Sequence, residues 1–161
     1  MTRGTTTLLT KALPALALGL SCLIGTDGFA GGPIYYPAQP IVLAHGSARA
    51  LGQLGFRYEN GFGVPQNYAA AADLYLRAAE QGDPFAQSRL GLSYDKGHGV
   101  RQDFILAYKW LDLAAARAPR RDQDFYRRLR DAVASKMSLD QVVEGQRLAL
   151  VWAGQWAERR Y

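Results

Sequence analysis

From Ser47 onward, apolar side chains return every three or four positions, the spacing that gathers them on one face of an α-helix. Each run is closed by glycine, proline or a short polar residue. Ser47 followed by Ala50, Leu54 and Tyr58 predicts a first helix to about Asn60, with Ser47 as its N-cap and Gly61-Phe62-Gly63-Val64 as its stop. Asn67 caps a second predicted helix that runs to about Gln81 and ends at Gly82. A third starts at Asp83-Pro84, because proline at the first helical position gives up no needed N–H and already has helical φ. It runs to about Lys96, where Gly97-His98-Gly99-Val100 stops it, and Asp103 caps a fourth that ends near Ala118-Pro119. Phe125, Leu129 and Val133 predict a fifth over residues 122–136. Ser138 with Gln141 three residues on forms a capping box for a last helix to about Arg159.

This helical pattern is itself repeated. Gly55, Tyr58, Gly61, Gly63 and Val64 return 36 residues later as Gly91, Tyr94, Gly97, Gly99 and Val100. At the same offset Gly46, Ala50, Leu54, Gln66, Ala71, Ala78 and Ala79 match Gly82, Ala86, Leu90, Gln102, Ala107, Ala114 and Ala115. A period of this length means helical hairpins that cannot bury their apolar faces alone and do so by stacking. Gly61 and Gly97 fall where a helix ends in a left-handed residue, and Val64 and Val100 can turn back over the last turn. Gly55 and Gly91 lie inside helices, where glycine costs about 1 kcal/mol relative to alanine. That cost, repeated at one position, predicts close helix approach, received by the small faces of Ala71, Ala78 and Ala79 and of Ala107, Ala114 and Ala115. Past residue 118 the repeat degrades. Leu139, Val142, Val143, Leu150, Trp152 and Trp156 exceed one helical stripe, which fits a terminal cap or a tryptophan patch for a partner.

Ahead of the helices, Arg3 and Lys11, the apolar run Ala12 to Ile24 and the small-x-small string Gly28-Phe29-Ala30 predict a signal peptide over residues 1–30, cleaved after Ala30. Residues 31–45, with Pro33, Tyr35-Tyr36, Pro37 and Pro40, read as a tether-like leader. Cleavage removes Cys22, the single cysteine, leaving a chain that can live in the periplasm or outside the cell without disulfides and without a thiol nucleophile. It also removes Arg3, Lys11 and Asp27 and lowers the net charge from +5 to +4, a mild excess that implies no nucleic-acid partner. Membrane contact is expected only through an uncleaved signal segment.

The string Ala50-x-x-x-Leu54-Gly55-x-x-Tyr58-x-x-Gly61-x-Gly63-Val64-x-Gln66-Asn67-Tyr68, continued by Ala78-Ala79-x-x-Gly82-Asp83, resembles the SEL-one-like repeat, a relative of the tetratricopeptide repeat. A second copy runs from Ala86-Gln87 through Trp110 and Ala114-Ala115. Met137-Ser138 through Ala149 and Trp152 is similar to the C-terminal helix of many exported bacterial members. The resemblance implies an all-α fold, an α/α superhelix of helical hairpins, with repeat one at 46–81, repeat two at 82–118 and a cap hairpin at 119–161. It also implies a non-catalytic protein-binding adaptor or scaffold. Some cysteine-rich members are β-lactamases or penicillin binders, so the alternative is a cell-wall-directed hydrolase or β-lactam-binding protein. The repeats here hold no cysteine.

The resemblance also selects candidate site residues. In tetratricopeptide architecture the first helix of each hairpin lines the concave surface, which here means Arg49, Gln53 and Arg57 and their repeat equivalents Phe85, Arg89 and Ser93. Such a basic groove suits a protein or peptide segment carrying carboxylates, since arginine contacts them bidentately. Ser93-Tyr94-Asp95-Lys96 matches the S-x-x-K string of acyl-transfer enzymes, but the companion SDN and KTG strings do not occur. His45 and His98 lack metal-ligand spacing and read as loop histidines, so no metal or cofactor is expected. Arg117, Arg120, Arg121, Arg127, Arg128 and Arg130 alternate with Asp122, Asp124 and Asp131 and read as a salt-bridged surface.

Overall fold

The computed structural model describes residues 47–159; the expected signal peptide, leader, Cys22 and His45 lie outside the described residues. Six helices follow one another: α1 Ala48–Asn60, α2 Tyr68–Glu80, α3 Pro84–Lys96, α4 Phe104–Arg117, α5 Arg120–Ala134 and α6 Leu139–Glu158. Their starts are chemical. The side chains of Ser47, Asn67, Asp83 and Asp103 each accept from the backbone N–H three residues on, and Ser138 and Gln141 form a reciprocal capping box. Gly61 and Gly97 end α1 and α3 in the left-handed conformation, both at φ 72°.

Hairpins α1/α2 and α3/α4 stack, and the repeat reaches down to single bonds. Gln66 Nε2 donates to the carbonyl of Glu59 at 2.8 Å, and Gln102 Nε2 to that of Asp95 at 2.6 Å. The carboxylate of each of these acidic residues also faces a cation one unit further on. Arg89 lies 3.6 Å from Glu59, and Lys136 donates to both Asp95 oxygens at 2.7 and 3.0 Å.

The helical glycines mark where the hairpins close. A Cβ on Gly55 would lie 2.8 Å from Tyr75 and 3.2 Å from the Ala71 carbonyl oxygen; one on Gly91 would meet Leu111 and the Ala107 carbonyl. The receiving surface is therefore Ala71 with Tyr75, and Ala107 with Leu111. Ala78, Ala79, Ala114 and Ala115 are buried but are not the nearest groups. One facing position departs from expectation. Ala50 is exposed, whereas its equivalent Ala86 is fully buried, because α1 covers Ala86 through Gly52 and no described helix precedes α1.

The C-terminal pair does not close on itself as a third hairpin. α5 and α6 each pack on α4 instead. Gly145 lets α6 approach Tyr108 and Ile105, and Trp110 meets Trp152 edge-on at 5.8 Å. Further along, Trp156 reaches Gly82, at the turn between α2 and α3. Trp152 is only 8 % exposed, so the terminal tryptophans belong chiefly to the core. The guanidinium of Arg117 lies over both rings, 3.7 Å from the Trp156 centroid and 4.8 Å from that of Trp152.

Candidate partner-binding face

The first helices of the two hairpins, α1 and α3, share a face built around aromatic rings. Phe56 contacts Phe62 edge-on at 5.9 Å and Phe85 at 6.1 Å, and Phe85 continues to Tyr75 at 6.5 Å. Arg89 lies over this row, its guanidinium carbon 4.7 Å from the Phe56 centroid and 5.4 Å from that of Phe85. Phe62 is 57 % exposed and forms the open end of the row. The φ of its flanking glycines, Gly61 and Gly63, is 72° at both, which holds the loop so that Phe62 stands beside α1.

Beneath the rings is an anchored acid. Tyr75 donates a 2.6 Å hydrogen bond to Glu59, whose carboxylate also faces Arg89. Burial pushes the Tyr75 phenol well above the usual tyrosine range, and the bond to Glu59 pushes it further. Tyr75 therefore stays a donor, Glu59 stays oriented, and the Arg89 stem is pinned between two helices.

The six sequence-predicted site residues are placed unequally on this face. Arg49, Gln53 and Arg57 are exposed on α1, with Arg57 Nε donating to the Phe62 carbonyl at 3.1 Å. Phe85 and Arg89 are half-buried, and Ser93 is buried at 8 %, its hydroxyl donating to the Arg89 carbonyl at 3.0 Å. Equal sequence positions differ in exposure because α3 is an interior helix: α1 and α2 pack on one side of it and α4 on the other, and Tyr126 of α5 sits beside Ser88. Ser93 thus gives no group to a partner, and its S-x-x-K match is a helical serine bonded back to its own backbone. Phe56 and Phe62 were missed by sequence reasoning. The detectable signal was that both are phenylalanine where the second repeat has Leu92 and His98.

The remaining structural positions of the repeat serve the loops. Tyr58 and Tyr94 carbonyls accept the N–H of Asn67 and Asp103 at 2.9 and 3.0 Å, and Val64 and Val100 are half-buried under the turns. Gly99 lets the second loop sit on α2: a Cβ there would collide with the Tyr68 carbonyl, while His98 lies against the Tyr68 ring at 4.6 Å, tilted by 38°. The arginine-rich α5 is largely paired. Arg121 meets Asp122, Arg127 meets Asp124, and Arg130 bridges Asp131 and, on α4, Asp112 at 2.8 Å. Among the described residues no helix is long and apolar enough to cross a membrane.

Among the described residues, two stacked helical hairpins followed by α5 and α6 packed on the second of them define an α/α-repeat protein. Residues 48–83 and 84–118 match the Sel1 repeat family model, and the chain carries two Sel1 repeats. Sel1 repeat proteins are typically protein-interaction scaffolds. Two solved structures agree. One is c5321, described as a protective antigen present in uropathogenic Escherichia coli strains displaying an SLR fold; it is 29% identical, with a TM-score of 0.64, and the match covers 72% of this chain and 24% of that one. The other is a Sel1 repeat protein from Oxalobacter formigenes, 29% identical with a TM-score of 0.50, matched over 65% of this chain and 44% of its own. The chain thus spans less than half the length of either. No curated protein matches it.

Proposed function

We propose that this chain is an exported, non-catalytic adaptor that binds a protein or peptide segment on the α1/α3 face. The observation carrying the reading is the row Phe62–Phe56–Phe85 with Arg89 laid across it, because aromatic and arginine side chains in a shared pocket dominate interface energetics. The half-buried rings supply apolar anchorage. The exposed Arg49 and Arg57 supply positive charge at the rim, so the fitting partner is an extended segment with an apolar or aromatic residue next to carboxylates. Arg89 differs in role from the other two arginines. Its charge is already faced by Glu59, so it organises the rings more than it advertises a free cation.

Display selection of random peptides on the full chain tests this. Enriched peptides should combine acidic and apolar residues and lose affinity for a Phe62→Ser, Arg49→Glu variant. Selection that enriches nothing, or peptides that bind the variant equally well, would overturn the proposal.

A further inference from the structure

α6 carries an apolar stripe that nothing among the described residues covers. Leu139 is 78 % exposed, Leu150 74 % and Val143 55 %, and Val151, 46 % exposed, lies at the edge of the stripe one turn beyond Arg147. The opposite side of the same helix is buried on the core through Gly145, Ala149 and Trp152. The stripe leaves on the order of 500 Å² of apolar surface, near the largest patch an ordinary monomer shows. Leu139, Val143, Gln146 and Leu150 follow one another at intervals of four, three and four, the alternation of a two-helix seam.

We propose that this stripe seats a second copy of the same chain, the two α6 helices running antiparallel about a two-fold axis. The surface is self-complementary in that arrangement: Leu139 of one copy meets Leu150 of the other, and Val143 meets Gln146. Charge selects it as well. Asp140 and Arg147 flank the seam one heptad apart, so antiparallel pairing sets each Asp140 beside the other copy's Arg147. A parallel pair would instead aim that flank at the positions of Val142 and Ala149, which are packed into the core. Arg147 is presented for this by two 2.7 Å bonds to Glu144 while its side chain stays 59 % exposed. The apolar area falls short of the roughly 800 Å² per partner of a standard interface, so the dimer is weak and dissociable. Gln146, the polar member of the seam, is tied back to its own chain by donating to the Tyr108 hydroxyl at 3.2 Å. This surface is independent of the α1/α3 face.

Sedimentation equilibrium of the full chain tests the pairing. The average mass should climb from one copy toward two with concentration, and Leu150→Glu should hold it at one while circular dichroism stays unchanged. Arg147→Glu and Asp140→Lys should each weaken self-association at least about tenfold, because each sets like charges together. An equimolar mixture of these two variants should recover it, since each supplies the charge the other lacks. A monomer at every concentration, association that survives Leu150→Glu, or a mixture no stronger than its components would overturn the proposal.

Discussion

Gly91 of α3 stands so close to Leu111 of α4 that a Cβ atom on the glycine would lie 2.8 Å from Leu111 Cγ, with the Ala107 carbonyl oxygen at 3.0 Å. The backbone on one side of that contact cannot retreat without opening the hairpin. Gly91→Val should therefore destabilise by at least about 1–3 kcal/mol through overpacking. Gly154 is the control: no atom lies within 4 Å of its missing Cβ, so Gly154→Ala should raise stability by up to about 1 kcal/mol from helix propensity alone. Denaturant midpoints of the two variants check both signs.

Gly63 and Gly99 hold the same repeat position but carry different burdens. A Cβ on Gly63 meets the flexible tip of Arg57, whereas one on Gly99 meets the backbone of Tyr68 and Ala69. Both variants to alanine suffer the strain of positive φ, about 1 kcal/mol. Gly99→Ala should cost measurably more, because it also pushes the second repeat off the first. Equal thermal shifts would show that the loop-to-α2 contact contributes nothing.

Alkaline stability should follow the buried tyrosines. The folded-state pKa of Tyr75 is raised, chiefly by burial and then by Glu59, so its contribution is complete below the unfolded value of about 10 and is lost as pH rises above it. Tyr94 and Tyr126 shift the same way through burial. These tyrosines should make urea midpoints fall beyond about pH 10, whereas Lys109, lowered by burial, acts in the opposite direction below that range. Tyr75→Phe should lower stability near neutrality by about 1–2 kcal/mol, since Glu59 loses its shortest donor, and should flatten the alkaline fall. A wild-type midpoint that does not fall beyond about pH 10, or an alkaline fall that Tyr75→Phe leaves unchanged, would contradict this account.

Export predicts a mature N-terminus at Gly31, because Gly28-Phe29-Ala30 closes the apolar run as a small-x-small site. N-terminal sequencing of the protein from periplasm or medium decides it. An intact Met1 would defeat the export reading and leave the helical repeat domain unaffected.

The helices were legible because their ends are written locally. Ser47, Asn67, Asp83, Asp103 and Ser138 cap the N–H groups of their own first turns, and these bonds need nothing from the rest of the fold. Repetition then exposed the glycines at which hairpins close. What stayed hidden depends on the number of neighbours. Ser93 is the arithmetic equivalent of Arg57, but α3, with described helices packed on both sides, buries what α1, the first described helix, exposes. The docking of α6 onto α4 was equally unreadable: the fit of Gly145 against Tyr108 is a relation between residues 37 positions apart, outside the 36-residue register. The aromatic row was obscured for the same reason, since Phe56, Phe62 and Phe85 occupy three different repeat positions and meet only when the hairpins stack.

Hydrogen exchange of the full chain with a display-selected peptide bound tests the central claim most directly. The α1/α3 account predicts new protection in α1, in the 61–64 loop and at the start of α3 around Phe85, weakening as salt screens the rim arginines over about 10 Å at 0.1 M. Protection confined to α5 or α6, with α1 and its loop unchanged, would contradict it.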